Sequence, residues 1–359
     1  MEISGECPNR HPPVSGGSHP QDRGCRFLHF SLLLLLALMG GIHPAKAEAG
    51  EIEIVPFHTR DQGPFSQVIG LPPAEGGLLV PPGRLECRLV YDVSNSDSEN
   101  RNPREVIHLD METHRPSLAL RYGLAQRMEV GLDIPYVSHS KGKLDGFVDR
   151  FHQITGLGPR KTTKYRMDVF YVRDGVSKIN LRESTSGIGD VLLSYGYQLY
   201  RSEKPAPRGV AIRAGLKLPT GDAGSLTGSG GTDVSLGIAA TDAVTLSAWN
   251  LTFYGMAGAI SMHNGKVLEG QHRRMAWFGS AGIGWSSLSW MAVKVQLDTH
   301  SPLYRNTVIQ VLDSQVGQLV GGFTFALPRG IVLDVGLSEN VFKETSPDET
   351  FHFAFRKRY

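Results

Sequence analysis

The residues best suited to chemistry lie along one short stretch. His108, Asp110, Glu112 and His114 alternate, and imidazoles and carboxylates are the side chains that bind metals. On a strand, alternate residues share a face but stand about 7 Å apart, at roughly 3.3 Å rise per residue. Four such groups cannot converge on one ion; at most one pair could share a metal with a neighbouring strand. The expectation is therefore no metal site, and no cofactor is implied elsewhere. Ser138-His139 and His300-Ser301 set a hydroxyl beside a base. Adjacent strand residues point to opposite faces, however, so neither pair is itself a dyad. No Gly-x-Ser-x-Gly stretch occurs. The chain is not expected to be an enzyme; a lipid-modifying hydrolase remains as an alternative with no catalytic residue assigned.

A second constellation is larger. Arg84, Glu86, Arg88, Asp92, Arg121, Glu129, Asp133, Asp190, Arg213, Lys217, Lys294, Asp298 and Asp334 occupy the polar phase of segments whose other phase is apolar. On a lipid-facing wall an Arg or Lys at the bilayer midplane costs about 2–4 kcal/mol, whereas in a lumen it can be hydrated or paired. These residues are therefore expected to line a lumen. Two functions fit: a polar permeation path with a mixed-charge constriction, or a salt-bridged filling that only stabilises a narrow barrel.

The elements that must hold these side chains alternate with period two. Leu85, Cys87, Leu89, Tyr91 and Val93 form one such face; Met128, Val130, Leu132, Ile134 and Tyr136 form another. The pattern recurs through Val210–Leu218, Met291–Leu297 and Ile331–Leu337. About twelve strands are predicted, near 84–93, 104–124, 126–138, 187–200, 208–219, 231–241, 243–262, 271–286, 288–299, 315–327, 329–340 and 350–359. Long connections alternate with short ones. The long ones are 94–103, 139–186, 219–230, 263–270, 300–314 and 341–349. An outer-membrane barrel has an even strand count, short periplasmic turns and long external loops, so both termini are placed in the periplasm. Two segments are less regular. Ile107, Leu109 and Met111 are out of phase with Leu118, Leu120 and Tyr122, which predicts a bulge near Pro116. Val244–Met262 has no clean phase.

The long loop at 139–186 should carry structure of its own. Leu144, Phe147, Val148, Phe151 and Ile154 recur at helical spacing. That helix either enters the mouth, with His152 and Arg160 near the path, or caps the outer rim. Tyr165–Val172 and Lys178–Leu181 are expected to form a hairpin around Asp174-Gly175. The loop 219–230 is rich in Gly, Ser and Thr but lacks the Lys of a phosphate loop.

Both ends of the sequence carry signals. Arg23 and Arg26 precede an apolar run from Phe27 to Met39, followed by Ala45-Lys46-Ala47. This is the order of a cleaved signal peptide, with the cut expected after Ala47. The run is too short to span about 30 Å of hydrocarbon. Cys7 and Cys25 would leave with it, and Cys87 alone admits no internal disulfide. Residues 48–83 are proline-rich and too short for a core of their own; they either enter the lumen as a plug or lie in the periplasm as a partner-binding tail. At the other end Phe351, Phe353, Phe355 and Tyr359 share a face opposite His352, Arg356 and Arg358. An exposed aromatic edge invites aggregation in a soluble sheet. Such a terminal strand resembles the signal read by the outer-membrane barrel-assembly machinery. The net charge of +2 gives no reason to expect nucleic acid. The expected fold is all-β: a transmembrane antiparallel barrel at 84–359 in contact with outer-membrane lipid.

Several stretches carry a resemblance. Val55-Pro56-Phe57, Gly63-Pro64-Phe65, Ile69-Gly70-Leu71-Pro72, Arg121-Tyr122-Gly123-Leu124, Phe151-His152 and Gly187-Ile188-Gly189-Asp190 are similar to a bacterial outer-membrane family of unknown function. Gly187–Asp190 with Lys217-Leu218-Pro219-Thr220-Gly221-Asp222 also resembles barrels assigned to the meta-pathway of phenol degradation, proposed as uptake channels. The second resemblance covers only the middle of the chain. Neither implies a catalytic residue. Together they imply a channel or transporter for small solutes, amphipathic or aromatic in character. A non-conducting structural barrel is the alternative.

Overall fold

A computed structural model of the chain describes residues 52–142, 167–204, 206–263, 265–341 and 347–359. The signal region, with Ala45 and Ala47, lies outside the described residues, as do the helical-period stretch 144–154, His152 and Arg160.

Twelve antiparallel strands close into a ring. In chain order they begin with β1 (Leu85–Arg101), β2 (Glu105–Ala125) and β3 (Met128–Ser140). Three short strands follow: β4 (Asp168–Arg173), β5 (Val176–Leu181) and β6 (Thr185–Ile188). The ring continues through β7 (Val191–Ser202), β8 (Arg208–Leu218), β9 (Thr232–Asp242), β10 (Leu251–His263) and β11 (Met275–Leu288). It ends with β12 (Met291–His300), β13 (Val316–Leu327), β14 (Ile331–Asn340) and β15 (Glu349–Arg358). The wall closes where β1 pairs β15 from Glu86↔Arg358 to Asn95↔Glu349. The β4–β5 hairpin extends the sheet beyond the distal half of β2, and β6 beyond that of β3. Its turn is Asp174-Gly175, with φ of 50° and 76°. Positive φ at both central residues is the two-residue hairpin turn that Asp-Gly favours.

Alternation sets the faces. Along β9, Asp233, Ser235 and Thr241 are buried while Val234, Leu236 and Ile238 are exposed. Leu89, Val130, Val295 and Phe355 are likewise exposed, next to buried Arg88, Glu129, Lys294 and Arg356. A wall with apolar residues outward and polar residues inward is the pattern of an outer-membrane barrel. Exposed Tyr122, Tyr200, Trp249 and Tyr359 cluster near the short-turn end, where aromatic rings suit the membrane–water interface.

Three expectations are corrected. The connection placed at 94–103 is mostly strand, because β1 runs to Arg101 and only residues 102–104 join it to β2. The segment at 187–200 is two elements, β6 and β7, parted at Gly189-Asp190. Near Pro116 there is no bulge. The β1–β2 register is unbroken from Leu85↔Tyr122 to Arg101↔Val106, and Ile107, Leu109, Met111 and Arg121 all face inward. The phase of hydrophobicity changes because the lumen itself is apolar in its distal half. The unclear phase before Met262 has the same cause: β10 starts at Leu251, and its inward Tyr254, Met256, Ile260 and Met262 are as apolar as its outward side.

Candidate functional site in the barrel lumen

The chain ahead of β1 runs inside the barrel. It enters at the short-turn end, rises along the inner face of β12, turns at Gly63–Gln67, and descends along β8, β9 and β3 to Pro82. On the rising leg, residues pair with β12 two by two. Lys294 Nζ donates to the Val55 carbonyl at 3.0 Å, the Phe57 amide to Gln296 Oε1 at 2.9 Å, and Thr59 Oγ1 to Asp298 at 2.6 Å. His300 Nε2 is 2.9 Å from Asp61. An extended chain and a strand share a repeat of two, so each inward β12 residue meets the next alternate residue of the leg. The Gly63 carbonyl accepts the Gln67 amide at 2.8 Å to form the turn.

On the descending leg the contacts are mostly backbone to wall side chain. Lys217 Nζ donates to the Val68 carbonyl at 2.9 Å. The Gly70 amide donates to Asp233 at 2.8 Å, the Gly77 amide to Thr241 Oγ1 at 2.9 Å, and the Val80 amide to Glu129 at 2.7 Å. Arg213 donates to the Gly76 carbonyl at 2.8 Å. Gly77 passes so close that a Cβ there would fall 2.3 Å from the Gly209 carbonyl oxygen. Buried backbone groups need partners, and this segment, which has no strand neighbour, finds them on the lumen wall.

The wall charges are also paired with one another. Arg121 lies 2.5 Å from Asp133, Arg213 2.6 Å from Glu129, Lys294 2.7 Å from Asp334 and Arg88 2.9 Å from Glu86. Lys217 sits between Asp190 at 2.7 Å and Asp233 at 3.1 Å. Each of these pairs joins residues of one strand, of adjacent strands or of next-but-one strands, with Asp190 immediately before β7, the neighbour of β8, so it runs around the wall and not across the lumen. The internal segment adds Glu75, 3.0 Å from Arg121, and His58, whose Nδ1 is 2.6 Å from Arg88.

Of the residues expected to line the lumen, Glu86, Arg88, Asp92, Arg121, Glu129, Asp133, Asp190, Arg213, Lys217, Lys294 and Asp334 are buried, and Asp298 is half-buried. Arg84 departs from this group. It is exposed, because it precedes β1 in the turn where its amide bonds the Pro81 carbonyl. Sequence reasoning missed Gln198, Asp233, Gln296 and Thr241, which sit in the same inward phase and were readable from it. It also missed Glu75 and His58, which no strand pattern marks.

The distal half is apolar and capped. Phe65, Val68, Ile69 and Leu71 of the internal segment pack with Ile107, Leu109, Met111, Ile260 and Phe278 of the wall. Leu303, Tyr304, Ile309 and Leu312 from the 301–315 connection join the same cluster. Tyr304 donates to the Phe65 carbonyl at 2.8 Å. In the connections at this end, burial lowers the pKa of His272, with Asp233 opposing, and burial raises that of Tyr304.

The alternating His108, Asp110, Glu112 and His114 project from the other phase of β2. His114 Nε2 meets Glu112 at 2.7 Å, and His108 stacks on Phe170. Among the described residues no three potential ligands converge. His139 is buried, 2.9 Å from Thr113 Oγ1 and 3.1 Å from the Leu226 carbonyl. His300 Nδ1 is 2.8 Å from the Ser301 carbonyl, while the Ser301 hydroxyl accepts the Trp277 amide at 3.0 Å. Neither histidine addresses the hydroxyl of its neighbouring serine.

Residues 33–359 match the family described as Protein of unknown function (DUF3187), and the chain belongs to that family. Among curated proteins no sequence matches it. Among solved structures it is similar to the COG4313 outer membrane channel from Pseudomonas putida F1, with 14% identity and a TM-score of 0.55. That match covers 79% of this chain and 98% of the other. The toluene transporter TodX of Pseudomonas putida matches at 8% identity and a TM-score of 0.37, over 84% of this chain and 98% of that one. The toluene transporter TbuX of Ralstonia pickettii matches at 13% identity and 0.35, over 78% and 90%. The first likeness is one of fold, and the two weaker ones carry no inference. The chain folds as a twelve-stranded β-barrel with the apolar outer wall and polar inner face of an outer-membrane barrel.

Proposed function

We propose that this barrel is a channel for small solutes, amphipathic or aromatic in character, and that residues 52–82 are its removable plug. One observation carries the reading: the wall charges pair around the barrel and not across it. A lumen salt-bridged shut would need bridges across its width. Here the width is filled by a separate segment, held largely through its own backbone groups. Removing that segment leaves each of those wall charges with a wall partner.

The test locks the plug. With Cys87 replaced by Ser, Thr59→Cys and Asp298→Cys place two thiols where the native side chains touch. Liposomes holding the reduced protein are expected to swell in arabinose or phenol. Oxidation should stop the swelling and a reductant restore it. Reduced protein that leaves vesicles tight would sink the channel reading, and lipid hydrolysis by the same sample would favour an enzyme.

The terminal strand supports a second proposal, that its aromatic face is read during assembly. Phe353, Phe355 and Tyr359 are exposed on the lipid side, and Tyr359 exchanges backbone bonds with Leu85 at 2.8 and 3.3 Å. Deleting Tyr359 should cut the outer-membrane yield several-fold. Detergent-refolded protein should keep its fast gel mobility, because one terminal pair contributes little to a closed ladder. Equal loss of refolding in detergent would assign Tyr359 to stability instead.

A further inference from the structure

We propose that Tyr254 is the periplasmic gate of a passage between the plug and the β10–β12 wall. The proposal rests on the channel reading above and adds the route and its narrow point. The inward positions of β11 near the turn end are Ser280, Gly282 and Gly284, so this strand leaves a trough beside the plug. Two cavities open along it. One, of about 330 Å³, lies at the short-turn mouth and is lined by Ile54, Leu78, Thr252 and Ser286 among others. The second, of about 40 Å³, lies deeper, against Thr59, Met256, Ser280 and Asp298.

Tyr254 stands between them, since Thr252 lines the first cavity, Met256 the second, and all three share the inward phase of β10. Its ring fills the space above Gly282, where a Cβ would come within 2.4 Å of it. Across the trough it packs on Ile52 and Ile54 of the plug. Tyr254 is 4% exposed, and among the described residues its hydroxyl has no hydrogen-bond partner. A buried phenol normally finds one, and here the unpaired group lies over Gly282 of β11. A ring pinned by contacts with a glycine and with a displaceable segment can swing when that segment moves. An aromatic or amphipathic solute following the trough meets an apolar ring with a free hydroxyl.

The experiment is single-channel conductance in KCl for the full mature chain, Tyr254→Ala, Tyr254→Phe, Ile54→Ala and the barrel lacking residues 52–80. Tyr254→Ala joins the two cavities and should raise conductance at least threefold. Ile54→Ala opens the same point from the plug side, without touching the wall, and should raise it in the same direction. Tyr254→Phe keeps the ring and should stay within about a third of the parent. If the plugless barrel conducts while Tyr254→Ala and Ile54→Ala match the parent, the gate is elsewhere and the channel reading stands. If Tyr254→Phe rises as far as Tyr254→Ala, ring bulk is not the barrier and the proposal fails. If no form conducts, the gate falls together with the channel.

Discussion

Deleting residues 52–80 should convert the protein into a steadily conducting pore, with mean current at least tenfold above that of the full chain. The expectation follows from what the wall keeps when the segment is gone. Arg121 retains Asp133, Arg213 retains Glu129, and Lys217 retains Asp190 and Asp233. The strand ladder is also complete without the segment, since β1 pairs β2 on one side and β15 on the other. What the deletion removes is apolar packing in the distal half. Phe65, Val68, Ile69 and Leu71 leave the cluster, and burial of each such side chain contributes about 1.5–3 kcal/mol. The barrel should therefore still show heat-modifiable gel mobility, but lose it at a lower temperature. Bilayer recording and a temperature series on the gel read both effects. A deletion that folds and stays tight would sink the channel reading.

The strands were legible where lipid and lumen impose opposite chemistry on the two faces. β9 shows this best: Val234, Leu236 and Ile238 had to face hydrocarbon, and Asp233 and Ser235 could not. Legibility ended where that contrast ends. Ser94–Arg101 continues β1 but is polar on both faces, so it reads as a loop although it pairs residue for residue with β2. The distal half of β2 misled in the opposite way. Ile107, Leu109 and Met111 carry the apolar phase inward, because they meet Phe65 and Ile69 of a segment distant in sequence. A period-two pattern reports which face is apolar; it does not report whether that face meets lipid or a plug.

The lumen residues followed from phase, and so were mostly identifiable, with Arg84 misplaced because the strand starts one residue later. The path of residues 52–82 was not identifiable. Many of its bonds to the wall use backbone groups, those of Val55, Val68, Gly70, Gly76 and Val80 among them, which every sequence possesses. Its prolines suited a periplasmic tail as well as a plug, since a residue without an amide hydrogen needs one partner fewer in either place.

Lys294→Met should be the most destabilising single substitution in the lumen and should also loosen the plug. Lys294 is fully buried on β12. Its Nζ donates to Asp334 at 2.7 Å and to the Val55 carbonyl at 3.0 Å, and lies 3.9 Å from the centre of the Phe57 ring. Methionine fills the space of the stem but leaves Asp334 buried with Thr324 as a neutral donor. Breaking a buried pair from one side costs about 3–5 kcal/mol, and urea unfolding in micelles should show a loss of that order. Replacing both members by apolar groups of similar volume is often neutral, so Lys294→Met with Asp334→Leu should recover most of the stability. It cannot recover the bond to Val55 or the cation over Phe57, because both belong to the ammonium. Swelling of vesicles should accordingly stay faster than that of the parent in the double variant, even with stability restored. That split separates the two jobs of Lys294. If restored stability brings flux back to the parental rate, the lysine secures the wall alone, and the plug is held by its other anchors.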